Sequence, residues 1–166
     1  MTLATAPGIL AAGIGELVVS GRPDEVLAAY GLGSCVALVA WDATARVGAL
    51  AHFMLPAPPP GTSPAAATPA KFVESGIEPL LAAFRSAGGD PGRATFRAAG
   101  GAAMLALSSG DLAIGRRNAE ALSAGLAARG LRLAASDLGG SQGRTVQLEV
   151  GSGRLLVRSL TTTREL

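Results

Sequence analysis

Residues 31–56 read GLGSCVALVAWDATARVGALAHFMLP. Two apolar runs, VALVAWD at 36–42 and VGALAHFML at 47–55, flank the turn segment DATAR at 42–46. Short, valine-bearing runs bounded by turn residues read as strands. A third apolar run, VLAAYGL at 26–32, is separated from VALVAWD by the glycine-bearing break GSC. Three strands so close in sequence are expected to pair antiparallel as neighbours in one sheet. The same stretch carries the single cysteine of the chain, Cys35, and its single histidine, His52.

Working outward, IGELVVS at 14–20 is strand-like, and GRPDE at 21–25 is a turn. The apolar start before it has no positive leading region, and Glu16 follows soon after. It reads as a loose start leading into a strand, not as a signal peptide. Downstream, PAPPPGTSPAAATPA at 56–70 is expected to be an exposed, flexible Pro/Ala loop bordering whatever site the histidine strand carries. Helical spacing of Phe72, Val73, Ile77, Leu80, Leu81 and Phe84 predicts a helix over 71–89. Thr68-Pro69 is its expected start and Gly88-Gly89 its stop, with Pro79 kinking it or splitting off the first two turns. RATFRAAGG at 93–101 reads as a strand running into a Gly-Gly turn. IGRRNAEALSAGLAARG at 114–130 is a second helix with a stripe at Ala119, Leu122 and Leu126. LRLAASD, RTVQLEV and RLLVRSL are strands, the last two joined through GSG. This order predicts an α+β fold in one domain over 1–166: a layered sandwich of mixed, mainly antiparallel sheet with two main helices packed on it.

With 166 residues, 49% hydrophobic and 16% charged, the chain has the composition of an ordinary globular domain. A net charge of +2, a single lysine (Lys71) and no basic run with interleaved aromatics argue against nucleic acid as the main partner. The Arg116-Arg117 pair reads as solvated helix surface. One cysteine makes no internal disulfide, which favours a reducing, cytoplasmic setting. Prolines in the uncharged span 47–70 argue against a membrane helix there.

Cysteine hydrolases need a thiolate and a base within hydrogen-bond reach, and imidazole suits the base. Gly31 and Gly33 let the backbone turn tightly ahead of Cys35. Backbone N–H groups in the turn, at Gly33, Ser34, Cys35 or Val36, are candidates to hold an oxyanion. A lone cysteine is more often a small buried hydrophobe, and a lone histidine a core residue. Their occurrence on adjoining strands is what favours one site. One Cys and one His make at most half a zinc site, and no coenzyme motif is present, so no metal and no cofactor are expected.

The cysteine turn GLGSCVALVAWD and the strand VGALAHFMLP, 17 residues apart from Cys35 to His52, resemble the signature of the CheD family, the chemoreceptor glutamine deamidases of bacterial chemotaxis. KFVESGIEPLL, GGAAML at 100–105, IGRRN at 114–118 and DLGGSQGR at 137–144 extend the resemblance from Ile14 to about Arg158. It implies deamidation of receptor glutamines to glutamates, with glutamyl methylesterase activity in some members. It also implies Cys35 as nucleophile, His52 as its partner, and a CheC-type phosphatase as a second protein partner. The implied fold is a layered α/β arrangement shared with a bacterial toxin that deamidates glutamine.

In one place the chain departs from the family pattern. The third catalytic residue of the family is a threonine six positions before the cysteine, and here that position is Ala29. A backbone carbonyl or another side chain is then needed to orient His52. Ser34 is the nearby candidate, since Tyr30 falls on the opposite strand face. Because the implied substrate is a protein side chain, a shallow cleft is expected. Gly100, Gly101, Gln142 and Arg144 are candidates to touch the substrate. Two other readings remain: a receptor- or phosphatase-binding adaptor that has lost turnover with the threonine, and an unrelated hydrolase of small amides with an enclosed pocket.

Overall fold

In the computed structural model, which describes residues 8–63, 65–104 and 109–166, ten strands form two five-stranded sheets and two helices cover one of them. The outer sheet has the order β1 (Gly8–Ala11), β3 (Glu25–Leu32), β8 (Arg144–Glu149), β9 (Leu155–Arg158), β10 (Thr163–Glu165). The inner sheet has the order β2 (Leu17–Ser20), β5 (Val47–Phe53), β4 (Val36–Asp42), β6 (Thr95–Gly100), β7 (Leu133–Leu138). Only β1–β3 and β6–β7 pair parallel among these neighbours. Helix α1 (Val73–Ser86) packs on β5, and α2 (Ser109–Ala127) packs on α1, β4 and β7. The result is the expected α+β sandwich, in three layers.

Strand alternation builds two cores from one set of inner strands. Val36, Leu38 and Ala40 of β4, with Ala49, Ala51 and Phe53 of β5, face the helices and meet Ile77, Leu80, Leu81 and Phe84 of α1. Ala37 and Val39 of β4 and Leu50 of β5 face the other way, against Leu27, Ala29, Val146 and Leu148 of the outer sheet. Covered on both faces, β5 is buried at every position, which is why its sequence reads as a continuous apolar run. The outer strand β8 alternates buried and half-buried residues, because only one of its faces is covered. Each fully buried Leu, Ile or Phe here stabilises by about 1.5–3 kcal/mol relative to exposure.

The structure corrects the expected pairing of the first three strands. β4 and β5 do pair antiparallel, from Val36↔Phe53 to Asp42↔Val47. β3, however, belongs to the other sheet, between β1 and β8. The break after Leu32 is therefore not a hairpin but a crossing from one sheet to the other. Nor is the start of the chain loose where it is described: residues 8–11 form β1, parallel to β3. Its first seven residues lie outside the described residues.

Helix α1 begins at Val73, not at Thr68, because Phe72 is still extended and residues 70–73 are tied to Gly15 and Leu55. Pro79 sits within one unbroken helix, so the first two turns are not split off. Burial of Ile77, Leu80 and Phe84 on both sides of the proline outweighs one missing hydrogen bond. Helix α2 starts at Ser109, ahead of the expected 114, and β10 had no counterpart in the strands expected from sequence.

Candidate active site

Cys35 lies at the crossing, one residue before β4 begins. It belongs to the core cluster between the sheets together with Ala37, two residues on along the same face. Ala37 stands directly across from His52 of β5. Cys35 and His52 are thus diagonal neighbours on the inter-sheet face, a relation that typically puts Cα atoms about 7–8 Å apart. Both are buried, with 9% and 2% exposure.

His52 is held by the loop that follows β1. Its Nδ1 lies 3.1 Å from the carbonyl of Ala12. A carbonyl only accepts, so Nδ1 carries the proton and Nε2 presents its lone pair. Nε2 is buried and has no hydrogen-bond partner among the described residues. The loop is itself fastened. Ala12 N–H donates to the Ala28 carbonyl, Gly15 N–H to the His52 carbonyl, and His52 N–H to the Glu16 carbonyl. Gly13 N–H donates to the Glu16 carboxylate at 2.9 Å.

The cysteine turn is fixed by its carbonyls. Ala102 N–H donates to Gly33, Gly101 N–H to Cys35, and the Asn118 amide to Ser34, at 2.8, 2.8 and 2.9 Å. With all three carbonyls drawn into the protein, no backbone carbonyl accepts from the Ser34 or Cys35 N–H among the described residues. Val36 enters the ladder opposite Phe53. Ser34, half-buried, contributes its carbonyl to this scaffold. Ala29 is fully buried between the sheets, opposite Val146, and Tyr30 points outward with 47% exposure.

The glycine segments lie behind the turn. Gly100 pairs with Val36 at φ +115, and a Cβ on it would run into the Cys35 carbonyl. Gly100 and Gly101 are both buried. The Gly100 carbonyl accepts from Gly139 N–H at 2.9 Å and faces Arg144 Nη1 at 3.4 Å. Arg144, 9% exposed, is paired with Asp137 at 2.9 Å. Gln142 accepts from the Thr161 hydroxyl at 3.1 Å. It lines an open depression of about 610 Å³ together with Tyr30, Met104, Arg158 and Leu160. Met104 joins this depression to the site, because its side chain lies against Gly33.

Burial sets the resting charge state. It pushes the Cys35 thiol above its ordinary 9.0, against a smaller opposing pull from the Cys35 backbone N–H. It pushes His52 below 6.5, against the Ala12 carbonyl and the charge of Glu16. The pair therefore rests at neutral pH as thiol and imidazole rather than as an ion pair.

Two residues of this arrangement had no role in the sequence reading. Ala12 acts through its backbone, which leaves no side-chain signal. Asn118 lies within IGRRN, and its signal is a polar residue one turn before Leu122 on the buried face of α2.

Comparison with known proteins identifies the family. The family model described as CheD chemotactic sensory transduction matches residues 54–159. The chain is 47% identical over 152 residues to a probable chemoreceptor glutamine deamidase CheD of Symbiobacterium thermophilum, covering 90% of this chain and 92% of that one. It is 40% identical to a probable chemoreceptor glutamine deamidase CheD 2 of Anaeromyxobacter dehalogenans, covering 91% and 94%. It is 38% identical to the chemoreceptor glutamine deamidase CheD of Thermotoga maritima, covering 89% and 90%.

Proposed function

The chain belongs to the CheD family, and from that membership we propose that it deamidates glutamine side chains of chemoreceptors, with Cys35 as nucleophile and His52 as its base. One observation carries the assignment of residues: His52 donates from Nδ1 to the Ala12 carbonyl and leaves Nε2 unpartnered on the face it shares with Cys35.

The reaction starts from the neutral pair. The Cys35 thiol gives its proton to His52 Nε2 as sulfur bonds to the side-chain carbonyl carbon of the glutamine. Catalytic hydrogen bonds of this kind commonly close only once substrate is bound. The N–H groups of Ser34 and Cys35 stabilise the oxyanion. Imidazolium returns its proton to the amide nitrogen, the C–N bond breaks, and ammonia leaves. The glutamyl thioester is then attacked by a water whose proton passes to Nε2. Glutamate leaves as the C–S bond breaks, and the proton returns to sulfur. A glutamyl methyl ester would follow the same course with methanol leaving.

The surroundings favour a protein substrate. Four exposed large apolar side chains flank this end of the sandwich. Ile14 lies in the loop that holds His52, Met54 lies two residues beyond it, Met104 lies over Gly33, and Tyr30 shares the depression with Met104. Exposed apolar side chains beside an open depression, two of them lining it, suit a helix surface rather than a small enclosed amide. The adaptor reading rested on the missing threonine, and the Ala12 carbonyl supports turnover without it. Among the described residues no helix is long and apolar enough to cross a membrane.

The test is mass spectrometry of a receptor cytoplasmic domain incubated with this protein. A gain of about one dalton at particular glutamines is expected, lost in Cys35→Ala and slowed about 10²–10⁴-fold in His52→Gln. A Cys35→Ala variant that still deamidates would sink the mechanism. No mass change with a cognate receptor would favour the adaptor.

A further inference from the structure

Strands β4 and β5 part company at the site. Their ladder ends at Val36↔Phe53. Beyond it, Met54 and Leu55 turn their N–H groups to the Lys71 carbonyl, while Gly33 and Cys35 are held by the 101–102 segment. The carbonyls of Ser34 and Met54 are left facing a gap between the two segments. One side chain fills it. Asn118 of α2, fully buried, donates from Nδ2 to Ser34 at 2.9 Å and to Met54 at 3.0 Å. Its Oδ1 is buried without a partner among the described residues.

We infer that Asn118 is a positioning residue for the deamidation, setting the separation of Cys35 and His52 by bridging the residue before the nucleophile to the residue two beyond the base. The inference rests on the reading of Cys35 and His52 as one site. Three features support it. Both Nδ2 hydrogens are used, one on each catalytic segment. The amide is kept although half of it is unsatisfied, and a residue that only filled space would be apolar there. Helix α2 is also brought close enough for so short a side chain. A Cβ on Gly115 would stand 2.6 Å from the Gly101 carbonyl oxygen, so glycine is what lets the helix meet the 101–102 backbone one turn before Asn118. IGRRN thus reads as one device, with close approach at 115 and the bridge at 118 on the same face.

Without the bridge, the Ser34 carbonyl is released and the cysteine turn relaxes toward solvent. Turnover should fall while the thiol becomes easier to reach, and its pKa should return toward 9.0 as burial is relieved. Packing loss alone does not predict this opposed pair of changes.

The experiment compares Asn118→Ala with Leu122→Ala, which removes a fully buried side chain from the same helix face but no bond to the site. Deamidation of the receptor domain is measured as kcat and KM under conditions where circular dichroism shows each variant folded. Cys35 alkylation by iodoacetamide is followed against pH. Asn118→Ala is expected to lower kcat about 100-fold with KM within about threefold, and to speed alkylation with its midpoint shifted down. Leu122→Ala should leave both near wild type once folded. Equal losses in the two variants, or an unchanged kcat in folded Asn118→Ala, would overturn the inference. If the wild-type protein itself fails to deamidate, the proposed function fails separately. The alkylation profile still decides: an unshifted midpoint in Asn118→Ala rejects the bridge.

Discussion

Ala29 occupies the position where the resemblance puts a threonine, and His52 Nδ1 is held by the Ala12 carbonyl. Ala29 is packed without exposure among Val146 and the rest of the inter-sheet core. Ala29→Thr should therefore be destabilising by about 1–3 kcal/mol through overpacking, and should raise kcat by no more than about threefold. Urea denaturation and initial rates check both, and a gain of tenfold or more would show that His52 is under-oriented. Protonation supplies a second prediction. Native His52 resists a proton that the unfolded chain accepts near 6.5. Its contribution to stability is full above that value and erodes as pH falls below it, because the unfolded state then binds more protons. The urea midpoint should fall on acidification below pH 6.5, with a shallower fall in His52→Gln. The raised thiol makes slow alkylation at neutral pH the expected behaviour of the resting enzyme, so slow alkylation alone is no sign of an adaptor.

At the scale of elements, the decisive feature is the crossing between β3 and β4. Gly31, at φ +65 with open space around it, and Gly100, at φ +115 against the Cys35 carbonyl, brace it from opposite sides. Gly31→Ala should lower stability by about 1–2 kcal/mol through its left-handed backbone alone. Gly100→Ala adds a backbone clash to strain of about 1–3 kcal/mol, and should displace the cysteine turn. The expected readout is a larger drop in urea midpoint for Gly100→Ala, with kcat reduced even under conditions where the protein is folded. The strands, the helices and their glycine stops were visible in apolar periodicity and turn residues. Which sheet β3 would join was not, because an apolar run before a glycine turn looks the same whether the chain reverses beside itself or moves to the opposing layer. The start of α1 was misplaced for a similar reason: Thr68-Pro69 has helix-start chemistry, but hydrogen bonds from 70–73 to Gly15 and Leu55 hold that segment extended.

For the whole molecule, the two cores share the inner strands, so neither can melt while the other stays intact. Trp41, the single tryptophan, lies on β4 and packs against the inter-sheet core, donating to the Val150 carbonyl at 2.9 Å. Its fluorescence and the far-ultraviolet helix signal should report one coincident urea transition, and separated transitions would show that the layers unfold independently. The rim of Ile14, Tyr30, Met54 and Met104 makes the opposite kind of prediction, about binding rather than stability. Met104→Asp should raise KM for a receptor domain about tenfold with kcat little changed, the signature of lost uniform binding. Initial-rate kinetics check this, and an unaltered KM would place the substrate elsewhere.

The sequence by itself determined the fold class and the family, and it offered Cys35 and His52 as one candidate pair, because periodicity, turn residues and motif spacing are local properties. Only the tertiary structure decided how His52 is oriented, what bridges the segments that carry Ser34 and Met54, and which way burial shifts the thiol and the imidazole. The Ala12 carbonyl lies 40 positions from His52, and the Asn118 bridge spans 84 and 64 positions. Backbone carbonyls carry no residue identity, and desolvation exists only once two layers have closed over a side chain.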